Sequence, residues 1–314
     1  MTCPPFNYLF YYDKISEEAT IIMKHPLTIA LIVSMTWALS IPAWSGKWSY
    51  DFGTGNDKSY THASTMSTDF LPNPTDGNAK ALVAVGNAGG GFYLQTGANP
   101  FNNSGRYYLK MVCASNNESP NKFSVFDYAA GSSGWVKFIF RYELSDSGEL
   151  VESHAGMFFA GKGNSFSNNN PVENGQVFSG IRWSPYLVTN LHTQYLSGGD
   201  WVTLSTNLFN RNQNYTIEVM MNNFSSITSY TKGGSAYSLT AHKWDLWLAN
   251  SRVGTNLTKG GLENQTAIDD FMFYGVGERH DTDLDQVIMY IDSIQNYGND
   301  VTQAPVTVSQ FVAD

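Results

Sequence analysis

The sequence predicts an all-β protein folded as a two-sheet antiparallel β-sandwich. Short runs of alternating or wholly apolar residues recur from Trp48 to the last 20 or so residues. Clusters of Gly, Asn, Ser and Pro separate these runs. No segment after Trp48 shows the 3.6-residue periodicity of an amphipathic helix. Many short strands without helices are typical of a sandwich or jelly roll.

The composition excludes several classes of protein. The 314 residues carry 18 Lys and Arg against 27 Asp and Glu, a net charge of -9, which disfavours nucleic-acid binding because that needs a basic surface. Only 14% of residues are charged and 14% are aromatic, which disfavours disorder. Two Cys cannot build a disulfide scaffold. The Gly89–Gly91 run lacks the Lys-Ser/Thr of a phosphate-binding loop, so no organic cofactor is predicted.

The N-terminal segment is predicted to be a targeting signal. Residues 23–25 include Lys24, residues 27–39 are apolar, and residues 43–45 supply small side chains for a signal peptidase. We therefore predict an upstream extension over residues 1–22 and a signal peptide over residues 23–45. The alternative is a signal anchor, because the uncharged residues 26–44 just suffice to span a bilayer. Either predicts a secreted or cell-surface protein with no other membrane contact.

The body of the chain is predicted to be one sandwich domain over residues 46–297, followed by a C-terminal tail or linker over residues 298–314. Residues 161–175 are the longest polar stretch and are predicted to be a loop inserted into this domain. Examples of the predicted strands are Lys80–Val85, Tyr107–Val112, Trp135–Leu144, Gly156–Ala160, Val177–Trp183, Tyr186–Tyr195, Trp201–Thr206, Tyr215–Asn222, Lys243–Ala249, Phe271–Tyr274 and Gln286–Ile294.

Alternation within these strands predicts which face each side chain takes. In residues 135–144, one face is apolar and the other carries Lys137, Arg141 and Glu143. In residues 243–249, Trp244 and Leu246 oppose the face that carries Asp245 and Trp247. A ligand-binding sheet requires such a polar face, and so does any solvent-facing antiparallel sheet.

Four segments of the C-terminal third carry a family resemblance. YTIEVMMNNFSS, AHKWDLWLANSRVG, AIDDFMFYGVGE and QVIMYIDSIQNYG resemble the concanavalin A-like (laminin-G-like) jelly roll of secreted bacterial proteins. The resemblance covers about residues 215–297. It implies the sandwich fold and binding of sugars, proteins or calcium, but no particular activity, because this fold hosts lectins, hydrolases and lyases.

Two shorter motifs resemble those of jelly-roll alginate lyases. RYEL at residues 141–144 is similar to their R-x-E-L strand, and NLH at residues 190–192 is similar to their Q-I-H strand. The resemblance implies that Arg141 and Asn190 neutralise a uronate carboxylate and that His192 is either the base for β-elimination or a partner of the neutralising groups.

The same resemblance implies a Tyr from a late strand, Tyr274 or Tyr290, as the acid. The third motif of these lyases, Y-F-K-x-G-x-Y, is missing from the chain. The alternative for Arg141 and Glu143 is an exposed ion pair worth under about 1 kcal/mol. The alternative for His192 is a solvated sheet histidine.

Aromatic side chains on polar faces could stack on sugar rings, whose flat faces are apolar. Among the Trp residues we favour Trp183 with Arg182 and Trp247 with Asp245, although most Trp in such a sandwich belong to the core. Polar side chains on the same strands are also predicted to bind ligand, namely Lys137, Glu143 and Gln194.

Two sets of Asp residues suit a structural calcium ion, which prefers several hard oxygen ligands. Asp281, Asp283 and Asp285 alternate before the last strand. Asp51 and Asp292 lie on the first and last strands, between which concanavalin A-like folds often hold calcium. The alternative is a solvated acidic turn.

Together these patterns favour a secreted, lectin-like protein that binds an extracellular polysaccharide without cleaving it. The first alternative is a polysaccharide lyase that uses Arg141, Asn190, His192 and Tyr290. The second is a surface adhesion module with a protein partner. The lyase hypothesis requires Arg141, Asn190 and His192 to converge on one substrate carboxylate.

Overall fold

The computed structural model describes residues 47–53, 56–75, 78–96, 100–101, 106–113, 120–144, 154–187, 189–277 and 286–297. The predicted extension, signal peptide and C-terminal tail therefore lie outside the described residues. Two large antiparallel sheets and a small hairpin account for the strands of this part of the chain. No helix among these residues has the length and hydropathy needed to cross a bilayer.

The first sheet, called sheet A, has nine strands. Eight of them follow the spatial order β17-β16-β13-β8-β19-β6-β5-β2, and β1 pairs with one end of β19. Its strands are β1 (Trp48–Tyr50), β2 (Lys58–Tyr60), β5 (Gly91–Gln95), β6 (Tyr108–Cys113), β8 (Ser133–Leu144), β13 (Asn214–Asn222), β16 (Lys243–Leu248), β17 (Ser251–Thr258) and β19 (Val287–Asn296).

The second sheet, called sheet B, has eight strands in the order β12-β11-β10-β9-β18-β7-β4-β3. Its strands are β3 (Thr65–Ser67), β4 (Lys80–Val85), β7 (Asn121–Phe126), β9 (Ala155–Gly161), β10 (Val177–Pro185), β11 (Asn190–Ser197), β12 (Asp200–Asn210) and β18 (Asp270–Val276).

The two sheets pack face to face over an aromatic core. Phe138 of β8 in sheet A lies 4.8 Å from Phe158 of β9 and 4.9 Å from Phe273 of β18, measured between ring centroids. All three side chains are fully buried. The predicted fold class, an all-β two-sheet antiparallel β-sandwich, is confirmed.

Two smaller elements cover parts of the outer faces. A hairpin of β14 (Thr228–Lys232) and β15 (Ser235–Leu239) covers one end of sheet A, where Tyr230 and Leu239 pack against Trp247. The helix α1 (Asn164–Ser167) and a 3-10 turn (Asn174–Gln176) lie in the predicted polar insertion. Phe166 of this segment is buried in the cluster on the outer face of sheet B.

Two predicted strands differ clearly from the structure: the one over Trp201–Thr206 ends too early, since β12 continues to Asn210, and the one over Tyr186–Tyr195 begins too early. The sequence predicted a single strand over Tyr186–Tyr195, but β10 continues to Pro185 and β11 begins only at Asn190. The backbone N–H groups of Tyr186 and Leu187 both donate to the carbonyl of Asn190, at 3.1 and 3.4 Å. This loop reverses the chain, so β10 and β11 form a hairpin.

Candidate functional site

A row of five side chains crosses the outer face of sheet A. Tyr93, Lys110, Tyr290, Arg141 and Asn214 lie on adjacent strands and are each the direct cross-strand partner of the next. We call this set the transverse row. Directly paired residues share a face of the sheet, so all five side chains lie on the same side. Their strand neighbours, such as Phe140 and Tyr142 beside Arg141, lie in the core.

The transverse row combines aromatic rings, cations and an amide. The Lys110 ammonium lies 5.9 Å from the ring centroids of both Tyr93 and Tyr290. Arg141 Nε donates to Glu143 Oε1 at 2.5 Å, and Arg141 Nη1 donates to the Asn214 side-chain oxygen at 3.4 Å. Four of the five side chains are partly exposed and Asn214 is exposed, so a ligand could reach them.

A pocket of about 450 Å³ adjoins one end of the transverse row. Asn214 belongs to both, and its side-chain amide donates to the Pro100 carbonyl at 2.7 Å. Phe101 in the pocket wall makes an edge contact with Tyr108, whose ring in turn lies 5.9 Å from that of Tyr290. Polar groups on the pocket wall include Ser49, Asp51, Arg106, Lys137, Asn214, Thr216, Ser293 and Gln295.

The electrostatics of the row determine what Tyr290 can do. Burial raises the pKa of Tyr290 well above its ordinary value, and the neighbouring Glu143 carboxylate raises it further. The phenol therefore stays protonated at neutral pH. It can donate a hydrogen bond or a proton, but it cannot serve as a base.

The predicted lyase set is not brought together. Arg141 and Tyr290 lie on the outer face of sheet A. His192 lies on the outer face of sheet B, where its Nε2 is 2.9 Å from Thr203 Oγ1, and Asn190 takes the same side of β11. The core separates the two pairs, so Arg141, Asn190 and His192 cannot contact one substrate carboxylate. Tyr274, the other predicted acid, is buried in the cluster on the outer face of sheet B.

Three residues predicted to bind ligand are buried. Trp183 is fully buried between the sheets, with its ring centroid 4.4 Å from that of Phe140. Asp245 and Trp247 take the predicted outer face of sheet A, but the β14–β15 hairpin covers them. A carbohydrate could reach none of these three without rearrangement of the protein.

The other predicted ligand-binding residues divide between the two outer faces. Lys137 and Glu143 lie on the outer face of sheet A, beside the pocket and the transverse row. Arg182 and Gln194 are direct cross-strand partners on the outer face of sheet B. There the Arg182 guanidinium lies 6.0 Å from the Trp201 ring. Of these four residues, Lys137 lines the pocket and Glu143 pairs with Arg141 of the transverse row.

The predicted calcium ligands are only partly described. Asp281, Asp283 and Asp285 lie outside the described residues. Asp51 follows β1, which pairs with β19, and Asp292 lies on β19, so the two are brought near the same strand pair. Asp51 Oδ1 accepts the Gly53 N–H at 3.1 Å, and Asp292 Oδ1 accepts the Ser293 N–H at 2.7 Å. No cluster of three His, Cys, Asp or Glu suited to a metal occurs among the described residues.

Sequence reasoning missed several residues of this site. Tyr93 lies on β5, Lys110 lies on β6, and Gln295 lies on β19, where the pairing register shifts between Asp292 and Gln295. Alternation in YYLKMVC places Lys110 opposite its apolar neighbours, so its outward orientation was readable. Its place beside Tyr290 depends on the pairing of distant strands, which the sequence pattern does not reveal.

Comparisons with known proteins give fold similarity only. No family model matches the chain, and no curated protein matches it. Among solved structures it is similar to the cellulose induced protein Cip1, with 15% identity, a TM-score of 0.39, and coverage of 79% of this chain and 95% of that one. It is also similar to lectin UEA-II complexed with galactose, with 10% identity, a TM-score of 0.35, and coverage of 77% and 98%.

A third similarity is to a family 7 alginate lyase, A1-II', in complex with its product, with 11% identity, a TM-score of 0.35, and coverage of 60% of this chain and 79% of that one. Identities this low and TM-scores below 0.5 do not show what this chain binds. The site must therefore be interpreted from its own residues.

Proposed function

We propose that the protein is a secreted, lectin-like sandwich that binds an extracellular polysaccharide on the outer face of sheet A. The observation that carries this proposal is the transverse row of directly paired side chains beside the pocket. Tyrosine rings can pack on the apolar faces of sugars, while amide, hydroxyl and cationic groups bind their oxygens. The site thus combines stacking surfaces with hydrogen-bonding groups.

Binding is favoured over β-elimination because the five residues of the transverse row include no imidazole or carboxylate, and the neighbouring Glu143 carboxylate is paired with Arg141. Elimination needs a group that abstracts a proton and another that protonates the leaving oxygen. Tyr290 could only protonate the leaving oxygen, because its raised pKa keeps the phenol protonated. The nearest motif-derived base, His192, lies on the opposite outer face.

The predicted export signal over residues 23–45 fits this proposal, because extracellular polysaccharides are met outside the cell. A structural calcium ion near Asp51 and Asp292 remains part of the proposal as a stabiliser of the β1–β19 pair. Binding measured with calcium and with a chelator would show whether it contributes.

The test is affinity electrophoresis of the purified protein through gels that contain a panel of acidic and neutral polysaccharides. Tyr93→Ala should weaken binding to the retarding glycan by about tenfold, equivalent to about 1.4 kcal/mol. The matched control is Tyr186→Ala, because Tyr186 is 45% exposed but follows β10 of sheet B. This variant should bind like the wild type.

Three outcomes would overturn the proposal. If no glycan retards the wild type, or if Tyr93→Ala and Tyr186→Ala behave alike, the outer face of sheet A is not a glycan site. The third outcome is cleavage: incubation of the protein with uronate glycans would then form unsaturated uronates, which are detected by a rise in absorbance. If that rise disappears in Tyr290→Phe, the protein is a lyase.

A further inference from the structure

Glu218 of β13 faces two cations but is bound to only one of them. Lys137 of β8 is its direct cross-strand partner, a position from which opposite charges normally attract each other. The structure instead places Lys232 Nζ, at the end of β14, 2.7 Å from Glu218 Oε1. Lys232 of the β14–β15 hairpin thus pairs with the carboxylate to which Lys137 would otherwise bind.

The pair between Lys232 and Glu218 is well shielded from solvent. The Lys232 side chain is 13% exposed and that of Glu218 is 5% exposed. The Lys232 ammonium also lies 5.1 Å from the centroid of the Trp247 ring. Low local dielectric strengthens such a pair, so the carboxylate is held on the hairpin side.

Lys137, unlike Lys232, is not paired with Glu218. It is partly exposed on the pocket wall, and within the described part of the chain no hydrogen bond or ion pair engages its ammonium. The nearby pocket carboxylate, Asp51, accepts the Gly53 backbone N–H. The ammonium of Lys137 is therefore available to a pocket occupant.

We infer that Lys232 is a positioning residue: by holding Glu218, it leaves Lys137 to bind an anionic substituent of the glycan, a carboxylate or a sulfate ester. This inference rests on the proposed function of the same face. It adds a ligand chemistry and a role for the hairpin, neither of which the transverse row requires. The hairpin then contributes to specificity without contacting the glycan.

The test uses Lys232→Gln, which releases Glu218 to pair with Lys137. Binding to polygalacturonate should weaken by about tenfold, while binding to its fully methyl-esterified form should hardly change. In Lys232→Gln/Glu218→Gln the competing carboxylate is gone, so binding to polygalacturonate should return to within about threefold of the wild type. A merely structural role of Lys232 would not produce this rescue.

Two further variants guard against a folding defect. Lys137→Gln removes the proposed ligand cation directly and should abolish the preference for the acidic over the esterified polymer. Lys80→Gln removes an exposed cation from β4 of sheet B and should leave that preference unchanged. Comparison of dextran sulfate with dextran shows whether a sulfate ester substitutes for the carboxylate.

Three results would overturn the inference. The double variant could bind as weakly as Lys232→Gln, Lys137→Gln could retain the acidic preference, or the wild type could bind acidic and neutral polymers equally. In each case, binding that still depends on Tyr93 would leave the proposed function standing. A wild type that binds no polymer at all would reject both.

Discussion

Trp183 of β10 stacks on Phe140 of β8, with ring centroids 4.4 Å apart and ring planes at 28°. The contact joins the two sheets through the core. Because successive side chains alternate along a strand, the Arg141 side chain lies on the outer face of sheet A. By the same rule the side chain of Ser184 lies on the outer face of sheet B. His192 is its direct cross-strand partner and therefore lies on that face too. One core contact thus assigns the two lyase-like motifs to opposite faces.

The first prediction concerns Trp183 itself. Trp183→Ala should lower the free energy of unfolding by about 3–5 kcal/mol, because it removes a fully buried ring and leaves a cavity. The measurement is urea unfolding followed by circular dichroism. Val202→Ala is the control, because Val202 is 38% exposed on β12 and its truncation should cost under about 1 kcal/mol. Equal losses in the two variants would show that the Trp183 ring does not hold the sheets together.

The second prediction separates the two outer faces. His192→Ala should leave the affinity for the retarding glycan within about twofold of the wild type, because the proposed site lies on the other face. Arg141→Ala, within the transverse row, should weaken that affinity by about fivefold or more. Affinity electrophoresis compares both variants on one gel. If instead His192→Ala abolishes binding and Arg141→Ala does not, the glycan binds on sheet B.

The sequence predicted local features of the fold well because strand alternation has a fixed period of two. It correctly placed Phe138 and Phe140 opposite Lys137 and Arg141. It did not predict that RYEL joins sheet A while NLH joins sheet B. Sheet membership depends on pairing between strands far apart in sequence, and no local pattern encodes that pairing.

The β14–β15 hairpin shows a second reason why part of the site was predicted incorrectly. Asp245 and Trp247 do face outward from sheet A as predicted, but β14 and β15 cover them. The hairpin carries few large apolar side chains, so it was not recognised as a covering element. Its signal was Gly233-Gly234, whose φ angles of 57° and 80° are typical of a two-residue hairpin turn between alternating strands.

The third prediction concerns the polar contacts beneath that hairpin. Buried Asp245 accepts hydrogen bonds from Tyr230 Oη at 2.6 Å and the Asn256 N–H at 2.7 Å, and pairs with Arg252 at 2.5 Å. Asp245→Asn should lower the free energy of unfolding by about 3 kcal/mol or more, because it leaves the partly buried guanidinium without its counter-charge. Urea unfolding measures this loss.

The control for Asp245→Asn is Glu143→Gln. The pair of Glu143 with Arg141 is 20% exposed on both sides, and its loss should cost about 1 kcal/mol or less. Similar losses in the two variants would indicate that the contacts beneath the hairpin are no stronger than a surface pair.

The fourth prediction is a pH dependence that arises from Lys122 of β7. The side chain is fully buried, and its ammonium donates to the backbone carbonyls of Ser165, Asn168 and Asn170 in the segment that covers sheet B. Burial lowers the pKa of Lys122 from 10.5 to about 8. Between these two values the unfolded chain keeps the proton and the folded protein releases it.

Because the unfolded state then binds more protons, Lys122 makes the folded state more stable as the pH rises from about 8 to 10.5. The full gain is of the order of 3 kcal/mol, at about 1.4 kcal/mol for each unit of the pKa shift. Buried groups with raised pKa values, such as Cys113, oppose this trend at high pH, so the measurement is the difference between the wild type and Lys122→Met. Urea unfolding from pH 7 to 10.5 should show this difference shifting in favour of the wild type with increasing pH. A difference that stays constant with pH would mean that Lys122 has the same pKa in the folded and unfolded states.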